Sequence, residues 1–412
     1  MKSTPPPPPP PSPSPSPSPS SPGVSEPQFK DCIEELIKFT LLSSIKGKLN
    51  IGLSAEYCVN LLKDDLSNPF PTQNNENRTT EDSEGVPLYP LYKRLASSLY
   101  QSISSRALCV GHNEIIPIQE DDLLKQTVDE WNKLIVEKGP VLLRLLTKVD
   151  FELHVQEPFF SQLNDGLKTI EGRCAVGHYN QIKSGDILLF NKCLMLQVQD
   201  VHRYASFHEM LEAESLAKVL PGVENIEEGV QIYRNFYSEE KEKSNGVIAI
   251  CIEKPTAQLH DCMTSILWGL SYAGVQRLLG FVQTMGTSTE SLPPPPSVLL
   301  SSFLLPHNPN VKGSTLTDGA RALAKHVNRS SSGYWGSLCG SDSEKNKVAM
   351  DIVSCLLTRC SWLNMHIVPP HGVVFEIRIK DGYGARWSAD GTKFIGFLEP
   401  YMDDGHSKGW KH

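Results

Sequence analysis

The chain is predicted to be an α+β protein of several domains, because 412 residues exceed one compact core and the sequence pattern changes along it. Residues 28–148 carry apolar side chains at three-to-four spacing, which predicts an α-helical domain. Residues 150–254 alternate apolar and polar side chains in short runs, which predicts a small mixed β-barrel with inserted helices. Residues 311–412 combine helical runs with the strand GVVFEIRIK, which predicts an α+β C-terminal domain.

Two proline-rich segments flank these regions. Residues 1–27 contain MKSTPPPPPPPSPSPSPSPSSP, which predicts a disordered polyproline-II tail. The tail is either a spacer or a docking segment for a partner of the SH3 or WW type. Residues 255–310 are predicted to hold an apolar helix and a proline-rich linker around SLPPPPS. Polar residues interrupt that helix, so no membrane span is expected.

Charge limits the class of partner. The formal net charge of −8 argues against a protein that coats duplex nucleic acid without specificity. Residues 150–254 hold ten basic and 17 acidic side chains, whereas residues 311–412 hold 13 basic and ten acidic ones. Ten cysteines lack the paired spacing of a zinc site, which favours reduced thiols inside the cell, in the nucleus or the cytoplasm.

The segment DGLKTIEGR, residues 165–173, gathers charged side chains behind a turn glycine. Strict strand alternation separates Lys168 from Glu171, so we expect a strand start or a bulge to bring them together. A lysine in a partly desolvated cleft loses its charge more readily and serves as a base or nucleophile. Arg173 offers a planar fork to a phosphate or a base edge. The segment therefore predicts a site, with a structural salt bridge as the alternative.

Three segments in order, FFSQLNDGLKTIEGR, IKSGDILLFN and VENIEEGVQIYRNFY, resemble the ASCH domain. The resemblance covers residues 150–254 and implies a PUA-like β-barrel. It further implies binding of RNA or a nucleotide in the barrel cleft, linked to transcription coregulation or RNA processing. A protein-interaction scaffold or transcription coregulator that binds no nucleic acid is the alternative outside this class.

The resemblance also implies an enzymatic alternative. One branch of the family consists of amidohydrolases that release acetate from N4-acetylcytidine with a lysine, a threonine three residues later and a distant glutamate. Lys168 matches the lysine and Glu224 the glutamate, but Glu171 stands at the threonine position. A carboxylate supplies no hydroxyl, so the mechanism requires Thr169 or a water instead. We therefore expect binding, with deacetylation of a modified cytidine as the alternative.

Further candidates come from basic and aromatic side chains, because guanidinium groups bind phosphates and aromatic faces stack on unpaired bases. The candidate RNA-binding residues are Lys168, Arg173, His178, Lys183, Arg203, Arg329, Arg378, Arg386 and Trp387. The alternative for the tryptophan is a place in the core. Four C-terminal side chains also have metal-binding chemistry: His366, His371, Glu376 and His406. Their spacing matches no known ligand pattern, so no metal or cofactor is predicted.

Overall fold

The computed structural model describes residues 28–67, 85–109, 122–284, 286–327 and 333–400. The described chain divides into two compact units. The first unit is Thr147–Thr256, and the second joins the chain up to Leu146 with the chain from Ala257 onward. The predicted proline-rich tail, residues 1–27, lies outside the described residues.

A five-stranded mixed sheet forms the frame of the first unit. Its strands are β1 (Phe151–Leu153), β2 (Ile170–Cys174), β3 (Ile187–Phe190), β4 (Leu194–Tyr204) and β5 (Val247–Glu253). They lie in the order β1-β3-β4-β5-β2, with β1 and β3 parallel and the other neighbours antiparallel. The sheet is a half-barrel, which confirms the PUA-like class and leaves β1 and β2 as its two edges.

Helices cover one face of this sheet. They are α5 (Phe159–Asn164), α6 (Phe207–Glu214), α7 (Leu216–Val219), α8 (Ile226–Arg234) and α9 (Glu239–Asn245). Ser206 and Asn225 start α6 and α8 by accepting backbone N–H groups of the first turn, as N-cap residues do. Phe207 of α6 and Tyr233 of α8 stack with ring centroids 4.1 Å apart and lie in one core with Ile170 of β2. The helices therefore fix the position of β2.

The second unit begins with helices. They are α1 (Phe29–Ile45), α2 (Ala55–Leu62), α3 (Leu91–Ser105), α4 (Asp122–Leu146) and α10 (Leu259–Leu278). The helical character predicted for residues 28–148 is thus confirmed where the chain is described. Among those described residues, no helix combines the length and apolar character of a membrane span.

The second unit also holds a four-stranded sheet and three helices. They are α11 (Pro296–Phe303), α12 (Asp318–Val327), α13 (Asp342–Arg359), β6 (Trp362–Val368), β7 (Gly372–Arg378), β8 (Gly384–Ser388) and β9 (Phe394–Leu398). The strands form an antiparallel meander in chain order. Phe375, Ile377 and Trp387 are fully buried on one face of this sheet. The α+β character predicted for the C-terminal region is confirmed.

The proline-rich run predicted as a linker is packed inside the second unit. Pro293 and Pro294 are buried, and the Tyr89 hydroxyl donates to the Pro293 carbonyl at 2.6 Å. The run then enters α11 at Pro296, a position that proline favours because it lacks a backbone N–H. Its composition suits a linker, but neighbouring side chains cover its rings. The other domain limits remain predictions from the sequence.

Candidate nucleic-acid interface

Lys168 and Glu171 meet at the start of β2. After α5, Gly166 adopts a positive φ of 73° and turns the chain, and β2 begins only at Ile170. Lys168 therefore precedes the strand and is free of its alternation. Its Nζ lies 3.1 Å from Oε2 of Glu171. This is the strand-start arrangement that the sequence analysis anticipated.

The Lys168 ammonium is buried, with 2% of the residue exposed. Besides Glu171, it donates to the carbonyl of Ile170 at 2.8 Å and to that of Val219. Burial lowers the pKa of Lys168, against the raising effect of the Glu171 charge. All three N–H donors of an ammonium thus have acceptors, which fixes the side chain in one position.

Glu171 is shared between two cations. Its Oε1 accepts from Nε of Arg173 at 2.8 Å, while Oε2 faces Lys168. Burial favours a higher pKa for Glu171, but the charges of Lys168 and Arg173 outweigh it and lower the pKa. The carboxyl group is therefore held ionised inside the unit.

Arg173 joins the two edges of the half-barrel. Its Nη2 donates to the carbonyl of His154, just after β1, at 2.6 Å. The guanidinium carbon also lies 5.7 Å from the ring centroid of Tyr179. Burial acts to lower the pKa of Arg173, and Glu171 outweighs this effect and raises it. The Arg173 side chain thus links the β1 and β2 edges, which no strand pairing among the described residues joins.

A cleft of about 260 Å³ opens at this gap. It is lined by His154, Val155, Gln156, Phe159, Lys168, Glu171, Gly172, Arg173, Leu220, Ile232, Tyr233, Phe236 and Tyr237. Its walls are largely apolar and aromatic, and Phe236 remains 49% exposed. A Cβ at Gly172 would lie 2.4 Å from the Tyr233 hydroxyl, so only glycine allows this wall to approach β2. The charged triplet Lys168, Glu171 and Arg173 lies on a cleft with aromatic walls.

The other predicted residues of the first unit lie outside the cleft lining. His178 lies in a short 3₁₀ helix, Gly177–Gln181, with its ring stacked near Phe151 and in an edge-on contact with Tyr179. Lys183 is exposed in the turn before β3. Arg203 is exposed and donates to the side chain of Asn180 at 2.9 Å.

The proposed catalytic set does not assemble. Glu224 is exposed in the turn before α8 and is absent from the cleft lining. Its backbone N–H donates to the side chain of Glu228 at 3.3 Å, so it belongs to the start of that helix. Thr169 is also absent from the cleft lining, and its carbonyl accepts from the Ile252 N–H. The structure brings Lys168 and Glu171 together without either partner.

A second charged cluster lies on the C-terminal sheet. Glu376 of β7 is 3% exposed and accepts from Nε of Arg378 at 2.7 Å and from Nε and Nη2 of Arg386 at 2.8 and 2.6 Å. Nε2 of His366 lies 3.2 Å from its Oε2. Burial favours a higher pKa for Glu376, but the bond to His366 and the two arginine charges outweigh it and lower the pKa to about 2.

The prediction that Trp387 binds RNA is wrong. Trp387 is fully buried, and its Nε1 donates to the carbonyl of Leu299 at 3.1 Å. It follows Arg386 on β8, and adjacent strand residues face opposite sides, so the two cannot share one surface. Arg329 and His406 lie outside the described residues, and His371 is exposed in the hairpin after β6.

One further group of side chains has metal-ligand chemistry. Ligand atoms of His202, Glu214 and Cys251 lie within 4.8 Å of one another. Both ring nitrogens of His202 already face carboxylates, Nδ1 that of Glu214 and Nε2 that of Asp200 at 3.1 Å. Burial raises the pKa of Cys251, which disfavours the thiolate that metals bind. The group fits a hydrogen-bond network better than a metal centre.

The aromatic walls of the cleft were not among the residues predicted from the sequence. Tyr233, Phe236 and Tyr237 come from the run IYRNFY, which predicts a helix and belongs to the third ASCH-like motif. Their spacing of three and four residues places them on one side of the chain at the end of α8. That spacing is the sequence feature that indicates an aromatic surface at this point of the chain.

Comparisons with known proteins fit this geometry. A half-barrel with a cleft at its open edge defines the first unit as PUA-like, and residues 153–256 match the family model of the ASCH domain. The crystal structure of hypothetical protein PH0355 is 48% identical and covers 25% of this chain and 97% of its own, with a TM-score of 0.25. The solution structure of protein PF0455 from Pyrococcus furiosus is 48% identical, covers 26% and 97%, and has a TM-score of 0.24. Through this region the chain belongs to the ASCH domain family.

A second family model matches the C-terminal part of the chain. Residues 306–399 are similar to the CdiA C-terminal tRNase toxin domain. The matched residues include β6 to β9 and the Glu376 cluster. No curated protein matches the chain.

Proposed function

We propose that the ASCH domain binds single-stranded RNA or a nucleotide by taking one base into its cleft. The observation that carries this proposal is the pairing of aromatic walls with a charged floor made of two cationic side chains, Lys168 and Arg173, and the carboxylate of Glu171. Pockets for drug-sized ligands measure about 300–1,000 Å³, so a cleft of about 260 Å³ suits a single nucleoside. Aromatic faces stack on any base, and RNA is recognised mostly through splayed, unpaired bases.

The charge of the first unit supports base insertion over backbone binding. Residues 150–254 carry a net charge of −7, which repels phosphates over most of the surface. Arg203 and Asn180 are hydrogen-bonded next to Tyr179, and Tyr179 lies under Arg173. This short basic and aromatic rim leads to the cleft and offers a phosphate one local contact.

Substitution of Phe236 tests the proposal with little risk to the fold, because this side chain is 49% exposed. Stacking of one base on an aromatic side chain contributes about 1–3 kcal/mol, so Phe236→Ala is expected to weaken binding of a short single-stranded RNA by about fivefold to 150-fold. Leu167→Ala is the matched control, since Leu167 is 63% exposed and lies outside the cleft lining. Equal affinities in fluorescence anisotropy titrations of both variants would reject the cleft.

Amide hydrolysis is less well supported by the same geometry. The ammonium of Lys168 already donates to three acceptors, Glu224 is exposed outside the cleft lining, and Thr169 supplies no hydroxyl there. Release of acetate from N4-acetylcytidine by the purified chain, measured by chromatography of the nucleoside, would reverse this preference.

A second candidate function concerns residues 306–399, and we propose that this region acts on RNA. Two observations favour it: the similarity to a tRNase toxin domain, and a histidine, a carboxylate and two arginines grouped on one sheet. These residue types are the ones that move protons and bind phosphates in enzymes. Shortening of total tRNA by the full chain, followed on denaturing gels, tests the proposal.

A further inference from the structure

We propose that His366, Glu376 and Arg386 form a site that cleaves RNA through its own 2′-hydroxyl group. This inference rests on the proposed action of residues 306–399 on RNA and assigns that action to particular atoms. The substrate class is single-stranded RNA, and the expected products are a 2′,3′-cyclic phosphate and a 5′-hydroxyl end.

The strand register places these side chains on one face of the sheet. Glu376 of β7 pairs with Arg386 of β8, which pairs in turn with Gly396 of β9. His366 lies two residues beyond Asn364, the β6 partner of Glu376, and therefore shares the same face. The intervening residues, such as Phe375 and Trp387, point to the opposite face and form the apolar core. The charged cluster thus lies on the face opposite Phe375 and Trp387, beside the buried side chains of Val374 and Trp362.

Next to Arg386, on the side of β9, there is open space beside the charged cluster of Glu376. A Cβ placed on Gly396 would meet no atom within 4 Å, so the backbone of β9 forms the floor next to Arg386. Gly384, in contrast, is required for packing, since a Cβ there would lie 2.9 Å from Cγ of Arg378 and 2.0 Å from the Ile377 carbonyl oxygen. The side chains of His366 and Arg386 remain 19% and 14% exposed. Both therefore reach the surface.

The bond to Glu376 sets the tautomer of the neutral His366 ring. An ionised carboxylate only accepts, so Nε2 of His366, 3.2 Å from Oε2, carries the ring proton. Nδ1 of a neutral ring is then the basic nitrogen, and no described side chain is bonded to it. Glu376 is a positioning residue here, because it orients the imidazole and stabilises the imidazolium that forms, as the carboxylate of a catalytic triad does.

Arg386 supplies the phosphate contact. Its Nε and Nη2 are bound to Glu376, which fixes the plane of the guanidinium. Within the described chain, Nη1 has no acceptor, and it is the part of the fork left for a phosphate oxygen. A guanidinium held rigidly by a carboxylate loses little conformational entropy when it binds.

The reaction balances with these groups and water. Nδ1 of His366 takes the proton of the 2′-hydroxyl, and the 2′-oxygen attacks the adjacent phosphorus while Arg386 neutralises the added negative charge. The bond between phosphorus and the 5′-oxygen breaks, and the leaving oxygen takes a proton from water. Nothing is oxidised or reduced. A strand without the 2′-hydroxyl cannot react.

The experiment uses the full chain with His366→Gln. The glutamine amide still donates to Glu376, so the cluster keeps its hydrogen bond, but an amide takes no proton. General base catalysis contributes about 10²–10⁴-fold, so cleavage of total tRNA and of a 5′-labelled RNA oligonucleotide, in EDTA, should slow by about 100-fold or more. His371→Gln, an exposed histidine of the same sheet, is the matched control and should cleave at the wild-type rate.

The outcomes distinguish failure of the proposed His366 site from failure of the proposed action of residues 306–399 on RNA. Loss of cleavage in His366→Gln alone, with cyclic-phosphate ends from the wild type and no cleavage of a 2′-O-methyl oligonucleotide, supports the site. Cleavage at the wild-type rate by His366→Gln, or of the 2′-O-methyl strand, overturns it while RNA cleavage stands. If the wild type cleaves neither RNA, the proposed action of residues 306–399 fails and the site fails with it. Circular dichroism checks that both variants fold alike.

Discussion

Glu171 and Glu376 are two buried carboxylates that share a pattern but differ in surroundings. Each carboxylate accepts hydrogen bonds from two cationic side chains, and each has a lowered pKa. The cations are Lys168 and Arg173 for Glu171, and Arg378 and Arg386 for Glu376. Glu171 is placed beside aromatic walls and a cleft. Glu376 instead contacts a histidine with one ring nitrogen turned away from it. A carboxylate held by two cations therefore fits the proposed base binding at Glu171 and the proposed proton transfer at Glu376, because the neighbouring side chains differ.

Removal of either carboxylate is expected to have the largest effect. Glu171→Gln leaves Lys168 and Arg173 without their shared anion, and breaking such a buried pair costs about 3–5 kcal/mol. Glu376→Gln strands two arginines and is expected to cost a similar free energy of unfolding in the second unit. Urea unfolding measures both changes. Glu224→Gln, at an exposed position, is the control and should stay within about 0.5 kcal/mol of the wild type.

The sequence predicted the contact between Lys168 and Glu171 but not the pairing of Glu376 with Arg386. The KTIEGR segment predicts that Lys168 and Glu171 meet at a strand start, and local chain geometry brings them together there. The basic and aromatic residues of β8 predict one surface for Arg386 and Trp387, although strand alternation separates neighbouring residues. The sequence offers Glu376 only as a candidate metal ligand, since its pairing with Arg386 depends on the register of β7 with β8. Register between strands depends on the turn geometry and on the partner strand as well as on the pattern of one strand, so the pattern of β8 alone does not identify the partner of Arg386.

The stability of the second unit should fall in acid because Glu376 becomes protonated. The pKa of Glu376 falls from 4.5 to about 2 on folding, so its contribution is present above pH 4.5 and is lost as the pH falls toward 2. At 1.36 kcal/mol for each pKa unit, the contribution is about 3 kcal/mol.

The measurement is urea unfolding of the second unit between pH 5 and pH 2, at about half-unit steps. Glu376→Gln should remove about 3 kcal/mol of the acid-dependent loss, because an amide does not titrate. The same acid dependence in the variant would show that other carboxylates, not Glu376, cause the loss.

A smaller effect tests the wall of the cleft. Gly172→Ala adds a Cβ 2.4 Å from the Tyr233 hydroxyl and 2.7 Å from Cε of Met210. Such overpacking typically costs about 1–3 kcal/mol, and the displaced tyrosine should also weaken RNA binding. Thermal unfolding and anisotropy titration report the two changes. Gly166→Ala is the control, since its Cβ meets no atom within 4 Å and only its positive φ of 73° is strained; it should lose stability but keep RNA affinity.

The central claim, that a base enters the cleft of the ASCH domain, is tested most directly by photo-crosslinking. A short single-stranded RNA carrying one 4-thiouridine is irradiated with the full chain, and the crosslinked peptides are mapped by mass spectrometry. We expect adducts on the segment that contains Phe236 and Tyr237, and their loss when unlabelled RNA competes. Adducts confined to peptides outside the residues that line the cleft would contradict it.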